Sequence, residues 1–277
     1  MLNPPLEAIP RSYLFVPGNR PERFAKALAS GAHAVIVDLE DAVPAAEKTA
    51  ARSAVAAALD LRQPVIVRIN GVDTDWFRND VTICRMPGVA AIMLPKTEGI
   101  EHLRRVEELL GGSLPILPLI ETAHGFANAL EIAKDRAVRR LVFGAIDFQL
   151  DLGIRGDTDE LLFFRSQLVL VSRLAGIAAP VDGINTEIDD PEKLRAATLR
   201  ARRLGFGGKL CIHPKQIPYV NQCFRPTPEE IAWARRVVEA AEAAGGAAVA
   251  DGGQMIDRPV ILQAERILRE AEMAAAD

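Results

Sequence analysis

The chain has 277 residues, of which 49% are hydrophobic and 25% charged, and this globular composition excludes a disordered or fibrous protein. Its 33 lysines and arginines and 37 acidic residues give a net charge of −4, so we expect no nucleic-acid or membrane-binding surface. No apolar run reaches the roughly 18 residues of a membrane span, and residues 1–10 lack a signal-peptide pattern. The widely spaced Cys84, Cys211 and Cys223 argue against zinc or disulfides and predict a cytoplasmic protein.

Short apolar segments rich in β-branched residues alternate along the chain with longer segments of helical spacing. The predicted strands are Tyr13–Val16, Ala34–Val37, Val65–Ile69, Ala91–Leu94, Ile116–Ile120, Leu141–Ala145, Ala179–Asp182 and Lys209–Ile212. The predicted helices include Arg20–Ser30, Ala45–Leu59, Gly99–Leu110, Leu161–Ala175 and Pro191–Leu204. Strands that alternate with helices pair in parallel, so the pattern predicts a TIM (β/α)8 barrel, with an open doubly wound sheet as the alternative.

The pattern changes after the eighth strand. Thr227-Pro228 predicts a helix start, because threonine caps helices and proline suits the first helical position. This helix is predicted to end at Gly245-Gly246, and Arg258-Pro259 opens a last helix beyond a second glycine pair, Gly252-Gly253. The sequence therefore predicts a barrel over residues 1–223 and a C-terminal helical extension and lid over residues 224–277.

Polar residues follow five of the predicted strands, at the end where a barrel carries its reacting groups. A single acid at a strand end is common, but acids and bases after five strands are more than solubility requires. These residues are Asp38, Glu40 and Asp41, then Arg68 and Asn70, Lys96, Glu121, and Asp147.

Glu121 and Asp147 follow consecutive predicted strands. Neighbouring strands lie about 4.8 Å apart, so both carboxylates come within reach of one ion. Two carboxylates with open positions for water and substrate are typical of Mg²⁺, with Mn²⁺ as a further possibility, and the lack of clustered His or Cys disfavours Zn²⁺. The alternative for this pair is a salt bridge with Arg68 or Lys96.

Two basic groups suit anionic parts of a substrate. Arg68 ends a strand, so its planar guanidinium is expected in the barrel mouth, where it would bind a substrate carboxylate, neutralise Asp38 or Glu40, or do both. Arg20 and Lys26 flank a turn that opens a helix, which favours phosphate. A turn followed by a solvated helix is the plainer interpretation of that segment.

Several segments resemble the HpcH/HpaI aldolase–citrate lyase β-subunit superfamily, above all its CoA-thioester lyase branch of citrate lyase β, malyl-CoA and citramalyl-CoA lyases. The resemblance runs in family order from about residue 11 to residue 257. The segments are RSYLFVPGNRPERFAKAL, VIVDLEDAVPAAEKTAAR, VRING, LPKTE, LIETAHG, FGAIDF, KLCIHPKQI and the lid-like GGQMIDRPV.

The resemblance implies a Mg²⁺-dependent TIM barrel that assembles as a trimer or hexamer. It assigns Glu121 and Asp147 as metal ligands, Arg68 to the substrate carboxylate, and Asp257 as a catalytic lid aspartate that reaches a neighbouring subunit. It further implies CoA contacts at Phe15, Arg20 and Lys26. Gln254 stands where relatives tend to carry a lysine, a departure within the lid.

The expected reaction is Mg²⁺-dependent, reversible cleavage of a 3-hydroxy-3-carboxyl acyl-CoA thioester of the citryl, citramalyl or malyl type to acetyl-CoA and a keto acid. Arg68 would hold the acid, Asp257 would transfer the proton, and Asp38, Glu40 and Asp41 would orient Arg68 or metal-bound water. Three alternatives stay open. They are a CoA-independent aldolase, an acyl-CoA thioesterase, and a subunit acting on a thioester carried by an acyl carrier protein.

Overall fold

Eight parallel strands form a closed barrel, in which β8 pairs with β1. The computed structural model describes residues 10–112, 114–243, 249–251 and 254–276. The barrel strands are β1 Ser12–Pro17, β2 Ala34–Asp38, β3 Val65–Arg68, β4 Val89–Leu94, β5 Ile116–Ile120, β6 Val142–Phe143, β7 Val181–Asp182 and β8 Gly208–Cys211. The predicted TIM barrel is confirmed, and the open sheet is excluded by the pairing of β8 with β1.

Helices connect the strands. They are α1 Phe24–Leu28, α2 Lys48–Ala58, α3 Phe77–Ile83, α4 Ile100–Leu110, α5 Ala123–Ala127, α6 Ala129–Ala133, α7 Ala145–Leu152, α8 Leu162–Ala175, α9 Pro191–Leu204 and α10 Ile217–Cys223. Short 3₁₀ turns at Pro21–Arg23, Ala45–Glu47, Asp159–Leu161 and Pro214–Gln216 precede α1, α2, α8 and α10. Within the described residues, no helix is both long and apolar enough to cross a bilayer.

Several predicted segments differ in their bounds from the structure, and two of them bear on the site. The sixth strand was predicted over Leu141–Ala145, but β6 holds only Val142–Phe143, because Gly144 ends it and Ala145 already begins α7. The predicted helix Arg20–Ser30 is a 3₁₀ turn followed by the five-residue α1. The bounds of a helix this short are hard to predict, since one or two turns give no usable hydrophobic period.

The barrel interior is filled by inward side chains at alternate positions of each strand, as the period of a β-strand requires. Buried inward residues include Tyr13, Ile36, Ile66, Met93, Leu117, Leu119, Val142, Val181 and Leu210. Two residues further along each strand, the side chain again points inward. The inward face therefore carries Asp38 after Ile36, Arg68 after Ile66, and Glu121 after Leu119. The strand pattern thus directs these polar residues into the carboxyl-terminal mouth of the barrel.

A buried ion network joins β7, β8 and α8. Asp182 accepts hydrogen bonds from Lys209 Nζ at 2.8 Å and from Arg165 Nε at 2.8 Å. Burial alone would raise the pKa of Asp182, but these two cations lower it to about 2. Since Val181 and Leu210 point into the barrel, Asp182 and Lys209 lie between the strands and the helical layer.

The chain separates into two compact units, the first ending at Asn221 and the second beginning at Gln222. The second contains α11 Pro228–Ala243, a hairpin of β9 Val249–Asp251 and β10 Gln254–Ile256, and α12 Arg258–Ala276. Thr227 and Glu230 form a reciprocal cap at the predicted helix start. The predicted end at Gly245-Gly246 and the pair Gly252-Gly253 lie outside the described residues, and the hairpin was not predicted.

Replacing Asp182 by asparagine leaves Arg165 and Lys209 buried with one carboxylate fewer, so we expect a loss of roughly 3–5 kcal/mol in the free energy of unfolding. The lowered pKa means that the ionised carboxylate stabilises the fold above about pH 4 and that this stabilisation is lost as the pH falls toward 2. Urea denaturation at neutral and acidic pH measures this difference.

Asp189→Asn is the control, since the Asp189 carboxylate pairs with Lys215 at the surface. It should leave the stability almost unchanged. A wild-type advantage over Asp182→Asn that is the same at neutral and acidic pH would contradict the ion network described here.

Candidate functional site

Polar side chains from several strands meet at the carboxyl-terminal mouth of the barrel. Asp38 and Arg68 are the last residues of β2 and β3 and stand opposite each other in the strand register. Phe15, on the inward face of β1, lies beneath the guanidinium, with Arg68 Cζ 4.7 Å from its ring centroid. Glu121 directly follows β5 and is only 3% exposed.

Arg68 is held by several acids. Its Nε and Nη2 donate to the two oxygens of Asp38 at 2.7 and 2.6 Å, and its Nη1 lies 2.9 Å from Glu40 and 3.6 Å from Asp41. Burial alone would lower the pKa of Arg68, but these acids raise it above its ordinary value. Neutralisation of Asp38 and Glu40, the plainer of the two predicted roles, is therefore present in the structure.

A second polar network fixes the loop that carries Glu40 and Asp41. Lys48 Nζ donates to the carbonyls of Leu39 and Glu40, both at 2.8 Å, and burial lowers the pKa of Lys48. Asn70 Nδ2 donates to the Leu39 carbonyl at 2.9 Å. These bonds hold the backbone between β2 and α2, so Glu40 is presented to the mouth by a fixed loop.

Glu121 is a buried carboxylate with little compensation. Its Oε1 accepts a hydrogen bond from the Lys96 backbone amide at 2.7 Å. Burial, and then repulsion from Glu40 and Asp147, raise the pKa of Glu121 to about 8. The residue opposite is Gly144, where a Cβ atom would lie 2.4 Å from Glu121 Oε2, so the site requires glycine at this position.

Asp147 lies in a different setting from the one predicted. It is not at the end of β6 but in the first turn of α7, because β6 is short and the helix begins at Ala145. Its half-buried carboxylate is close enough to Glu121 to raise the pKa of that group. The side chain of Asp147 makes no hydrogen bond or ion pair with any of the described residues.

The donor set fits a hard divalent cation. Five carboxylates, those of Asp38, Glu40, Asp41, Glu121 and Asp147, are faced by the cationic groups of Arg68 and Lys96. Among the described residues, no three His, Cys, Asp or Glu side chains are arranged to hold one ion. Glu121 and Asp147, whose carboxylates are close enough to repel each other, are the pair that could hold one ion, and oxygen ligands of this kind suit Mg²⁺ or Mn²⁺.

Lys96 has an unusual backbone. With φ of 46°, it is the one non-glycine residue in the described chain with a positive φ. A left-handed backbone costs an L-residue roughly 1–2 kcal/mol, and such strain gathers at functional sites. From this turn the amide faces Glu121, and Nζ lies 3.2 Å from Glu40 Oε1.

Three other predicted site residues, Arg20, Lys26 and Asp257, have different surroundings. Arg20 and Lys26 are exposed, on the 3₁₀ turn and on α1 after β1. Asp257 belongs to the second unit, where its Oδ1 accepts a hydrogen bond from the Val260 amide at 3.3 Å and caps α12. Asp257 thus has a structural role within its own unit.

Sequence reasoning missed Lys48 and Gly144. A lysine at the first position of α2 was a usable signal, because a positive charge is unfavourable at a helix N-terminus and needs another reason to be there. Gly144 could have been recognised because it is a glycine two residues after the inward-facing Val142, at a position where a side chain would normally fill the mouth.

Comparisons with known proteins agree with this architecture. The family model for HpcH/HpaI aldolase/citrate lyase matches residues 11–214. A citrate lyase subunit beta-like protein of Deinococcus radiodurans is 39% identical, covering 94% of this chain and 97% of its own. A (3S)-malyl-CoA thioesterase of Cereibacter sphaeroides is 36% identical, with 96% of each chain covered.

Among solved structures, the protein CitE of Mycobacterium tuberculosis in complex with magnesium, acetoacetate and coenzyme A superposes with a TM-score of 0.86. It is 36% identical to this chain, covering 96% of it and 99% of its own length. Sequence identity at this level over almost the whole chain establishes both the fold and the family.

Gly144→Ala should damage the site, because the added methyl would overlap Glu121 Oε2 and Cβ. We expect at least about tenfold weaker Mn²⁺ binding by calorimetry and a loss of roughly 1–3 kcal/mol in stability. Gly71→Ala is the matched control, since nothing lies within 4 Å of a Cβ there. Unchanged Mn²⁺ affinity in Gly144→Ala would contradict this packing.

Proposed function

The chain belongs to the HpcH/HpaI aldolase/citrate lyase family of carbon–carbon lyases, and on this premise we propose which reaction it catalyses. The reaction is Mg²⁺-dependent cleavage of a 3-hydroxy-3-carboxyl acyl-CoA thioester, reversibly, to acetyl-CoA and a keto acid. The observation that carries the proposal is the buried Glu121 carboxylate, repelled by Glu40 and Asp147 in the open end of the barrel.

In this proposal Glu121 and Asp147 hold the metal ion. When bound, Mg²⁺ polarises the hydroxyl and carboxylate oxygens of the substrate and stabilises the negative charge of the keto acid. The remaining coordination positions would be left to water and substrate. Magnesium in the related CitE complex supports a metal-dependent reaction.

Arg68 would bind the substrate carboxylate. Its Nε and one Nη2 proton are engaged by Asp38, and Nη1 lies 2.9 Å from Glu40 in an ion pair, so the guanidinium keeps donors for a further oxygen. The bidentate bond to Asp38 fixes the plane of the guanidinium, and the Phe15 ring lies against it. Asp38, Glu40 and Asp41 therefore act on the substrate by orienting Arg68.

The CoA portion would be bound by Phe15, Arg20 and Lys26. Both basic side chains are exposed on the segment that follows β1, at the barrel end that carries Glu121. Exposed cations at this end would attract the phosphates of a nucleotide. Coenzyme A in the related CitE complex supports a thioester substrate over a free acid.

Asp257 would transfer the proton. Cleavage of the C2–C3 bond, with the hydroxyl proton lost to solvent, leaves a keto acid and an enolate of the thioester, and a carboxylic acid at the enolate carbon would donate the proton that completes acetyl-CoA. In the reverse direction, the ionised carboxylate would remove the methyl proton. The family resemblance assigns this aspartate to the active site of a neighbouring subunit, so the proposal requires a homo-oligomer.

Exposed apolar side chains on α7 and α8 support assembly. Leu150 is 81% exposed and Phe163 is 61% exposed, and Ile146 and Leu162 beside them in the sequence are also exposed. Apolar surface of this kind marks an interaction site. A trimer or hexamer, an acyl-carrier partner and a cytoplasmic location stay predictions.

Thioester hydrolysis is the second candidate function, favoured by the similarity to the (3S)-malyl-CoA thioesterase. The two activities differ in their products, since hydrolysis releases free CoA and the intact hydroxy acid, whereas the lyase releases acetyl-CoA and a keto acid. Product analysis of one reaction mixture distinguishes them. Activity on free hydroxy-keto acids would instead indicate a CoA-independent aldolase.

A panel of malyl-, citramalyl-, hydroxymethylglutaryl- and citryl-CoA with Mg²⁺ tests the proposed reaction. Glu121→Gln and Asp147→Asn should lower kcat/KM by at least about a thousandfold, because both metal ligands act on the transition state. Both variants should still fold, as thermal melting would show. Full wild-type turnover in the presence of EDTA would contradict the metal role.

Asp257→Asn should lose cleavage by at least about a hundredfold while it keeps CoA-thioester binding. Asparagine caps helices as well as aspartate does, so the start of α12 is preserved in this variant. Mixed oligomers of Asp257→Asn and Glu121→Gln should regain activity, since each supplies what the other lacks. An unchanged kcat in Asp257→Asn, or no activity in verified mixed oligomers, would contradict proton transfer between subunits.

A further inference from the structure

Lys96 touches two acids of the site with two different parts of one residue. Its backbone amide donates to Glu121 Oε1 at 2.7 Å, and its ammonium donates to Glu40 Oε1 at 3.2 Å. Its φ of 46° is a backbone conformation that lysine rarely adopts. The strained turn is what lets one residue reach both carboxylates.

The surrounding chain holds this turn in place. Thr97, which is fully buried, donates its hydroxyl to the Leu94 carbonyl at 2.8 Å and its amide to the Leu119 carbonyl at 3.3 Å. Gly125 packs against the Thr97 carbonyl so closely that a Cβ there would lie 2.5 Å from the oxygen. Neighbouring contacts therefore fix the conformation of Lys96.

Glu40 is the third acid of the mouth and a competitor for any cation bound by Glu121. Lys96 hydrogen-bonds to both carboxylates, so Glu40 and Glu121 lie at the same side of the mouth. Its Oε1 is held by Lys96, and its buried Oε2 has no hydrogen bond of normal geometry with the described residues, with Arg68 Nη1 2.9 Å away. A carboxylate oxygen that lacks a hydrogen bond would coordinate a nearby cation if the carboxylate were free to move.

We infer that Lys96 is a positioning residue that keeps Glu40 off the metal ion while it fixes Glu121 on it. The ammonium restrains Glu40, and the amide sets the direction of the Glu121 carboxylate. Two protein ligands then remain, and the other coordination positions stay open for the keto acid. The inference rests on the proposed metal function, and it extends that function to substrate access.

Lys96→Asn and Lys96→Gly test the inference, because asparagine and glycine tolerate a positive φ and retain the amide but lack the ammonium. With Glu40 Oε1 freed from the ammonium and only the ion pair of Oε2 with Arg68 left, calorimetry should show Mg²⁺ bound as tightly as in the wild type or more tightly. Binding of a keto acid at saturating Mg²⁺ should weaken by at least about tenfold. The probe is whichever of pyruvate, oxaloacetate and acetoacetate the wild type binds most tightly.

Lys96→Arg keeps a cation and should restore keto-acid binding, and Lys134→Asn removes an exposed lysine at the end of α6 as a charge-matched control. A purely structural role would weaken Mg²⁺ and keto-acid binding together, and that result would overturn the inference. Unchanged keto-acid binding in both ammonium-free variants would overturn it as well. Absence of Mg²⁺ binding by the wild type would instead refute the proposed function, and the inference with it.

Discussion

Burial of the Glu121 carboxylate is the constraint on which the site depends. A pKa near 8 means that ionising this group in the folded protein without a cation costs on the order of 5 kcal/mol more than in water. Without a cation this carboxyl group would keep its proton at neutral pH, and Gly144, the residue directly after β6, leaves room for the side chain. A divalent cation between Glu121 and Asp147 would remove most of the repulsion between their carboxylates. The site is therefore arranged to bind such an ion, because the neighbouring protein groups do not compensate the charge of Glu121.

The barrel supplies the geometry through the two-residue period of its strands. Apolar residues fill the inward positions of each strand until the carboxyl end, where the same register presents Asp38, Arg68 and Glu121. The polar mouth is thus continuous with the apolar interior. Lys48 and Asn70 then fix the loop after β2, so the acids around Arg68 keep one arrangement.

Much of this could be predicted from sequence, because strand ends are visible in the apolar pattern. Arg68 and Glu121 fall where their strands end, and the eight strands indicate the barrel. Asp147 follows the sixth strand as predicted, but the early start of α7 was missed, since a two-residue strand next to a helix start has no distinct period. The positive φ of Lys96 and the requirement for glycine at position 144 depend on contacts between segments that are distant in sequence. A local sequence pattern does not predict such contacts. Family resemblance, and not the residue pattern, suggested Asp257.

The most direct measurement is the anomalous diffraction of crystals grown with Mn²⁺, which replaces Mg²⁺ at oxygen sites and can be located by its own signal. We expect one strong peak at coordination distance from one carboxylate oxygen of Glu121 and one of Asp147, with Glu40 still hydrogen-bonded to Lys96. A peak elsewhere, or an empty mouth in crystals at millimolar Mn²⁺, would contradict the proposed metal site.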